Sequence, residues 1–237
     1  VSKDHPIIFS APMVRALLEG RKTVTRRVIS GVPGSPGNRV NANNVVKHAA
    51  PYLDAYCGER KTDANPRGMS DKWSWWTRDD RPGALFKVGY APGDRLWVRE
   101  AWAPLSACVH GDPGVQAFAD NGFYRADNST VDGEIKRWRP SIHMPRCASR
   151  LTLVVKGVKV ERLRDISLQD VRAEGCEVRQ MWLFGADAKG RQEIGANAFR
   201  GLWESINGTE SWAINPWVVA ISFRVVRANI DSAEAAA

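Results

Sequence analysis

Apolar positions recur along this chain in short bursts separated by long polar stretches, and the spacing within each burst predicts an element. Residues 7–10, IIFS, predict a short strand. Ser10 then stands as the cap of a helix that tolerates Pro12 in its first turn and turns Met13, Leu17 and Leu18 to one side. Gly20 is placed to end that helix in the left-handed conformation. The β-branched run KTVTRRVI after it predicts a strand. Further on, RLWVREAW alternates after a turn at Gly93-Asp94, GFYRAD predicts another strand, and LTLVVKGVKVERL, 151–163, is the longest strand candidate. Gly157 in its middle marks a bulge or a hairpin bend. Ser167 caps a helix through LQDVRAEG, closed by Gly175. NAFRGLWESI predicts an amphipathic helix with Phe199, Leu202, Trp203 and Ile206 on one side, and NPWVVAISFRVVR a last strand.

Between these elements the pattern fades. Residues 31–88 open on a Gly, Pro and Asn loop and continue as a polar stretch with interleaved tryptophans, with short strands expected only near 45–47 and 84–88. Residues 104–122 and 177–195 are also expected as loops, WRPSIHMPRCASR as irregular, and ANIDSAEAAA as a frayed tail. No internal repeat is present. The order helix, strands, helix, helix, strand predicts one α+β domain over 1–230, a small barrel with flanking helices and loop insertions, and a tail at 231–237.

Composition narrows the class. The chain has 237 residues and is 43% hydrophobic, enough for a core. No apolar run reaches the roughly 18 residues of a membrane span, and the first residues lack the pattern of a secretory signal, so a soluble, cytoplasmic protein without membrane contact is expected. Cysteines at 57, 108, 147 and 176 contain no C-x-x-C pair. Cys108 with His110, and His48 with Cys57, are chance neighbours on this reading, so no metal is expected.

Net charge is +8, which suits a polyanionic partner. Ten tryptophans stand where average usage gives about three. Trp97, Trp102, Trp203, Trp212 and Trp217 fall in patterned segments and are expected in cores. Trp73, Trp75 and Trp76 fall in the polar stretch near Lys72, Arg78 and Arg81, where base stacking competes with packing against the domain.

The densest chemistry lies at 20–27, where Gly20, Lys22, Thr25 and Arg27 stand as G-x-K-x-x-T-x-R. On an extended strand Thr25 and Arg27 share a face. Lys22 joins them only if the chain bends between 22 and 25, which the helix-stopping glycine permits. A lysine beside an arginine in a dry cleft has its proton affinity lowered, and in neutral form it can act as base toward the Thr25 hydroxyl. A solvated cationic turn fits the same spacing.

The stretch FSAPMVRALLEGRKTVTRRV resembles the signature of the ASCH domain family, a branch of the PUA-like superfamily. PGDRLWVRE and the late FRVV resemble its following strands. The whole chain is similar to a longer, tryptophan-rich subgroup common in phages and prophages, marked by WRPSIHMPR and LWESINGTESWAINPWV. The resemblance implies a PUA-like barrel with a cleft beside the motif, rimmed by the insertions, and an association with RNA ahead of DNA. It also implies an amidohydrolase acting on N4-acylated cytidine without a cofactor, through a motif lysine and threonine and a glutamate on a later helix. Lys22 and Thr25 match the first two, and Glu174, at the end of LRDISLQDVRAEG, the third. Gly20, Arg26, Arg27 and Glu100 are expected around the substrate, with Glu100 as second candidate acid. Non-catalytic binding of RNA or modified nucleic acid is the alternative.

Overall fold

The computed structural model describes residues 2–29, 52–57, 69–76, 82–104, 122–127, 135, 137–178 and 187–232. The strands are β1 (Asp4–Ile8), β2 (Val24–Val28), β3 (Tyr52–Cys57), β4 (Met69–Trp76), β5 (Pro82–Lys87), β6 (Arg95–Arg99), β7 (Trp102–Ala103), β8 (Phe123–Tyr124), β9 (Thr152–Arg162) and β10 (Trp217–Val226). The α-helices are α1 (Ala11–Leu18), α2 (Leu168–Ala173) and α3 (Ala188–Asn207). The fold is α+β, as the pattern predicts.

A five-stranded sheet in the order β1-β6-β9-β10-β2 carries the core. Only the β1–β6 pair is parallel. Inner-face residues such as Leu96, Val98, Leu153, Val155, Val219, Ile221 and Phe223 pack with Val14 and Leu17 of α1 and with Phe9. The outer face of β2 and β10 is covered by α2 and α3, where Val171, Phe199, Trp203 and Trp212 close over Val218. Each such buried large side chain contributes about 1.5–3 kcal/mol.

The expected barrel is not closed. β1 and β2 are the sheet's edges, and among the described residues no ladder joins them. They nevertheless lie close, because the Arg27 guanidinium on β2 donates to the Ile8 carbonyl on β1 at 3.0 Å.

Several local expectations change in detail. β1 begins earlier than 7–10 and ends at Ile8, with Asp4 already opposite Arg95 in the parallel ladder. Ser10 caps α1 only through its backbone, its carbonyl accepting from Val14 N–H at 3.0 Å, and its side chain makes no cap bond. β9 runs unbroken, and the register slips between Ser222 and Phe223 opposite Gly157 and Val155, so Gly157 sits at a bulge and not at a hairpin bend. GFYRAD contributes two strand residues and then a single 3-10 turn at Arg125–Asp127.

The stretch 31–88 is not wholly loop. β3, β4 and β5 form an antiparallel three-stranded sheet, and β5 overlaps the strand expected near 84–88, while 45–47 lie outside the described residues. Trp73, Trp75 and Trp76 therefore lie on the central strand β4, with Trp73 opposite Phe86 and Trp76 opposite Tyr52, and not in a loop. α3 starts at Ala188, so two of its turns occupy part of the loop expected at 177–195. Asp187 is its cap, accepting from Gly190 N–H at 2.7 Å. The tail is also ordered further than expected. Ala228 and Ile230 are buried, the Asn229 amide donates to the carbonyls of Arg146, Cys147 and Ser149, and Asp231 pairs with Arg146.

Gly175 illustrates how tightly the helices meet. It has φ +86°, and a Cβ there would stand 3.0 Å from the Ala16 Cβ and 3.3 Å from the Lys22 Cβ. Gly175→Ala should cost about 1–3 kcal/mol through the left-handed backbone and this contact. Gly201→Ala, on the open side of α3 with nothing within 4 Å, should stabilise by about 0.5–1 kcal/mol. Denaturant midpoints of the two variants would move in opposite directions.

Candidate functional site

The C-terminal ends of α1 and α2 come together, and the segment between Gly20 and β2 is held between them. Gly20 turns the chain with φ +73°. Its N–H is taken by Leu17 O at 3.1 Å, so it supplies a turn and not an oxyanion donor. Lys22 N–H then donates to Ala16 O at 3.0 Å, and Thr23 N–H to Ala173 O at 2.8 Å. Lys22 and Glu174 form an isolated β-bridge. The bend that the motif requires between 22 and 25 is thus built from backbone hydrogen bonds to two helix ends.

This brings Lys22 and Glu174 into contact. The Lys22 ammonium is fully buried and donates to Glu174 Oε2 at 2.6 Å and to the Glu174 carbonyl at 2.9 Å. It also sits 5.7 Å from the centre of the Phe9 ring. Burial pushes its pKa below the ordinary lysine value; the charge and hydrogen bond of Glu174 act the other way, and Arg27 adds to the lowering.

Glu174 has a second cation on its other oxygen. Arg26 Nη1 donates to Glu174 Oε1 at 3.1 Å, while its Nε and Nη2 donate to Glu161 Oε1 at 3.0 and 2.7 Å. Arg26 Nη2 lies 3.2 Å from Asp170 Oδ2. Asp170 is itself fixed by its capping box with Ser167. Glu161 receives Lys159 at 2.7 Å from the solvent side. The result is a chain of alternating charges, Lys159–Glu161–Arg26–Glu174–Lys22. Arg26 was expected to bind substrate. Its guanidinium is buried and engaged by three carboxylates, so its place in the geometry is to hold Glu174. The signal was present in the strand period: residues 25 and 27 share one face of β2, so 26 must face the helices.

Thr25 and Arg27 do share the inner face, opposite Ile221 and Val219 of the core. The Thr25 hydroxyl oxygen accepts from Arg27 Nη1 at 2.9 Å. The same Nη1 donates to Arg26 O at 3.0 Å, and Nη2 to Ile8 O. Thr23 O and Ile29 N–H point to β10, so by alternation Arg26 O lies on the free edge of β2. Phe9 N–H points to Arg99 on β6, so Ile8 O lies on the free edge of β1. One guanidinium therefore bridges the two unpaired edges and at the same time polarises the threonine oxygen.

A cleft of about 550 Å³ opens along this seam. Its walls are β1 with the start of α1 on one side and α3 on the other, and Thr25, Arg26, Arg27 and Glu174 all reach it. The volume suits a small molecule. Phe9, Met13, Tyr90, Leu202 and Ile206 line it as well. Of these, Met13, Leu202 and Ile206 are singled out by the sequence, as apolar sides of two helices, and Glu161 and Asp170 are not singled out at all.

Glu100 is elsewhere. It is buried at the end of β6 and accepts from Arg150 Nε and Nη2 at 2.9 and 3.0 Å, with Arg150 also paired to Asp127 and lying over Tyr124. It is a structural carboxylate outside the cleft. Gly20 is likewise not part of the cleft lining. Of Trp73, Trp75 and Trp76 the described geometry is that of the backbone of β4.

Among the described residues no group of three His, Cys, Asp or Glu side chains is placed to hold a metal ion, and no helix is long and apolar enough to cross a membrane. His48, Cys108 and His110 lie outside the described residues. Family models, curated proteins and solved structures yield no match to the chain.

Removing one partner of a buried ion pair strands the other charge. Lys22→Met and Glu174→Gln should each cost about 3–5 kcal/mol. The double variant should cost less than the two together by about 1–3 kcal/mol, as a double-mutant cycle in urea would measure. This also means that truncating Lys22 perturbs the fold, so loss of function in that variant alone does not identify a chemical role.

Proposed function

We propose that the protein is an amidohydrolase of N4-acylated cytosine nucleosides, on an ASCH-type, PUA-like architecture whose barrel is left open between β1 and β2. The observation that carries this reading is Thr25, its oxygen held by Arg27, in one cleft with Glu174, whose carboxylate binds the buried Lys22 ammonium; Lys22 itself is not part of the cleft lining. An alcohol is a poor nucleophile unless a base takes its proton and a donor steadies the developing alkoxide. Arg27 Nη1 meets the second need. Lys22 meets the first in its neutral form, which burial favours by disfavouring the charged ammonium.

The sequence of steps is then fixed by proton balance. Thr25 Oγ1 attacks the amide carbonyl as Lys22 accepts its proton. The C–N bond breaks and the cytosine nitrogen takes a proton from Lys22. Water then attacks the acyl carbon as Lys22 takes its proton, the C–O bond to Thr25 breaks, Lys22 returns the proton to the Thr25 oxygen, and the acid is released. No cofactor enters. Arg26, by holding Glu174 Oε1, keeps the carboxylate aimed at Lys22.

The net charge of +8 favours a second reading, in which the same cleft binds a base of RNA or of modified nucleic acid without chemistry and β4 with its tryptophans contacts the strand. Affinity would then fall steeply with salt, and no product would form.

Thr25→Val keeps the volume and removes the hydroxyl. It should lower kcat/KM for N4-acetylcytidine at least about a hundredfold while leaving the unfolding midpoint nearly unchanged; cytidine release is read by mass spectrometry, and full activity in that variant overturns the role of Thr25. In the wild type, kcat should rise with pH through a group titrating below the ordinary lysine value of 10.5, because burial depresses Lys22 and only its neutral form accepts the proton. A limb at or above 10.5 would count against Lys22 as the base.

A further inference from the structure

Resting on the hydrolase reading, we propose that the cleft selects acyl groups with a large apolar body, aryl or a chain of about four carbons or more, over acetyl. The argument comes from what flanks the nucleophile. Thr25 lies on β2, which runs between the two walls of the cleft. An amide carbonyl placed on its hydroxyl has the nucleobase on one side and the acyl group on the other. Both sides carry apolar side chains that are not fully buried: Ile8, Met13 and Tyr90 on the one, Leu202 and Ile206 on α3, with Asn207 beside them.

A planar base covers one wall. An acetyl methyl is too short to cover the other. The exposure of the walls supports this: Ile206 is 55% exposed and Ile8 43% exposed, although both line the cleft. Ile142 and Ile214 are as exposed elsewhere on the surface, so the weight lies on two such isoleucines lining one recess together, as an apolar subsite requires. They are outside the core clusters, so their presence is not explained by packing. The reaction is unchanged in balance: the C–N bond breaks, the acyl carbon gains the oxygen of water, the cytosine nitrogen gains a proton, and the products are cytidine and a benzoic or hexanoic acid.

The test measures kcat/KM of the wild type for N4-acetyl-, N4-butyryl-, N4-hexanoyl- and N4-benzoylcytidine. Burial of a methylene is worth roughly a fourfold gain, so at least a tenfold rise from acetyl to hexanoyl or benzoyl is expected. Ile206→Ser and Ile8→Ser, at exposed positions, should each bring the benzoyl-to-acetyl ratio down toward one. A parallel titration compares binding of N4-benzylcytidine and N4-ethylcytidine, amines that cannot be hydrolysed. Hydrolysis with equal or reversed preference overturns the selectivity and leaves the hydrolase standing. Tighter binding of the benzyl analogue without hydrolysis of any amide supports the apolar subsite and overturns the hydrolase. Neither hydrolysis nor preferential binding overturns both.

Discussion

The site depends on a carboxylate buried between two cations. Glu174 offers one oxygen to Lys22 and the other to Arg26. Taking any of these charges out of water costs several kcal/mol, and the cost is offset only where geometry is close and every remaining polar atom is bonded. Here that condition is met by extension: Arg26 continues to Glu161 and Asp170, and Glu161 to the solvated Lys159. The chain of charges runs from the interior to the surface through β2, β9 and α2, so those elements cannot shift relative to one another without uncovering a charge. It is this constraint that keeps a lysine dry, depressed in proton affinity and close to a threonine-bearing strand.

Arg27 resolves a different problem. A curled five-stranded sheet with two unpaired edges exposes carbonyls that a closed barrel would pair. The guanidinium takes one carbonyl from each edge, Arg26 O and Ile8 O, and is planar and rich enough in donors to hold Thr25 as well. The seam is held at a spacing that a side chain spans and a backbone ladder does not. The cleft is the consequence. Had β1 and β2 paired directly, the threonine would face a sealed core.

The described part of the third expected loop and the end of the chain build the surroundings of the site. The part of the chain expected as a third loop supplies the first turns of α3, and the later turns of that helix form one wall of the cleft. The end of the chain, expected to fray, instead tucks Ile230 inside and ties Asn229 and Asp231 to the 146–149 segment.

What was legible in the sequence was local. Gly20 and Gly175 could be read as helix ends because their backbone need is intrinsic to glycine, and both take positive φ. The shared face of Thr25 and Arg27 followed from the period of a strand, and so, in principle, did the opposite orientation of Arg26. Glu174 was reached only through resemblance, because nothing within 152 residues of chain separation links it to Lys22 except the fold. The pairing of Glu100 with Arg150, the engagement of Arg26 by three carboxylates and the open seam bridged by Arg27 were decided by tertiary structure alone. Propensity and periodicity act over a few residues, whereas charge partners and cavities are set by which distant segments are brought within a few ångströms, and that is a property of the packed chain.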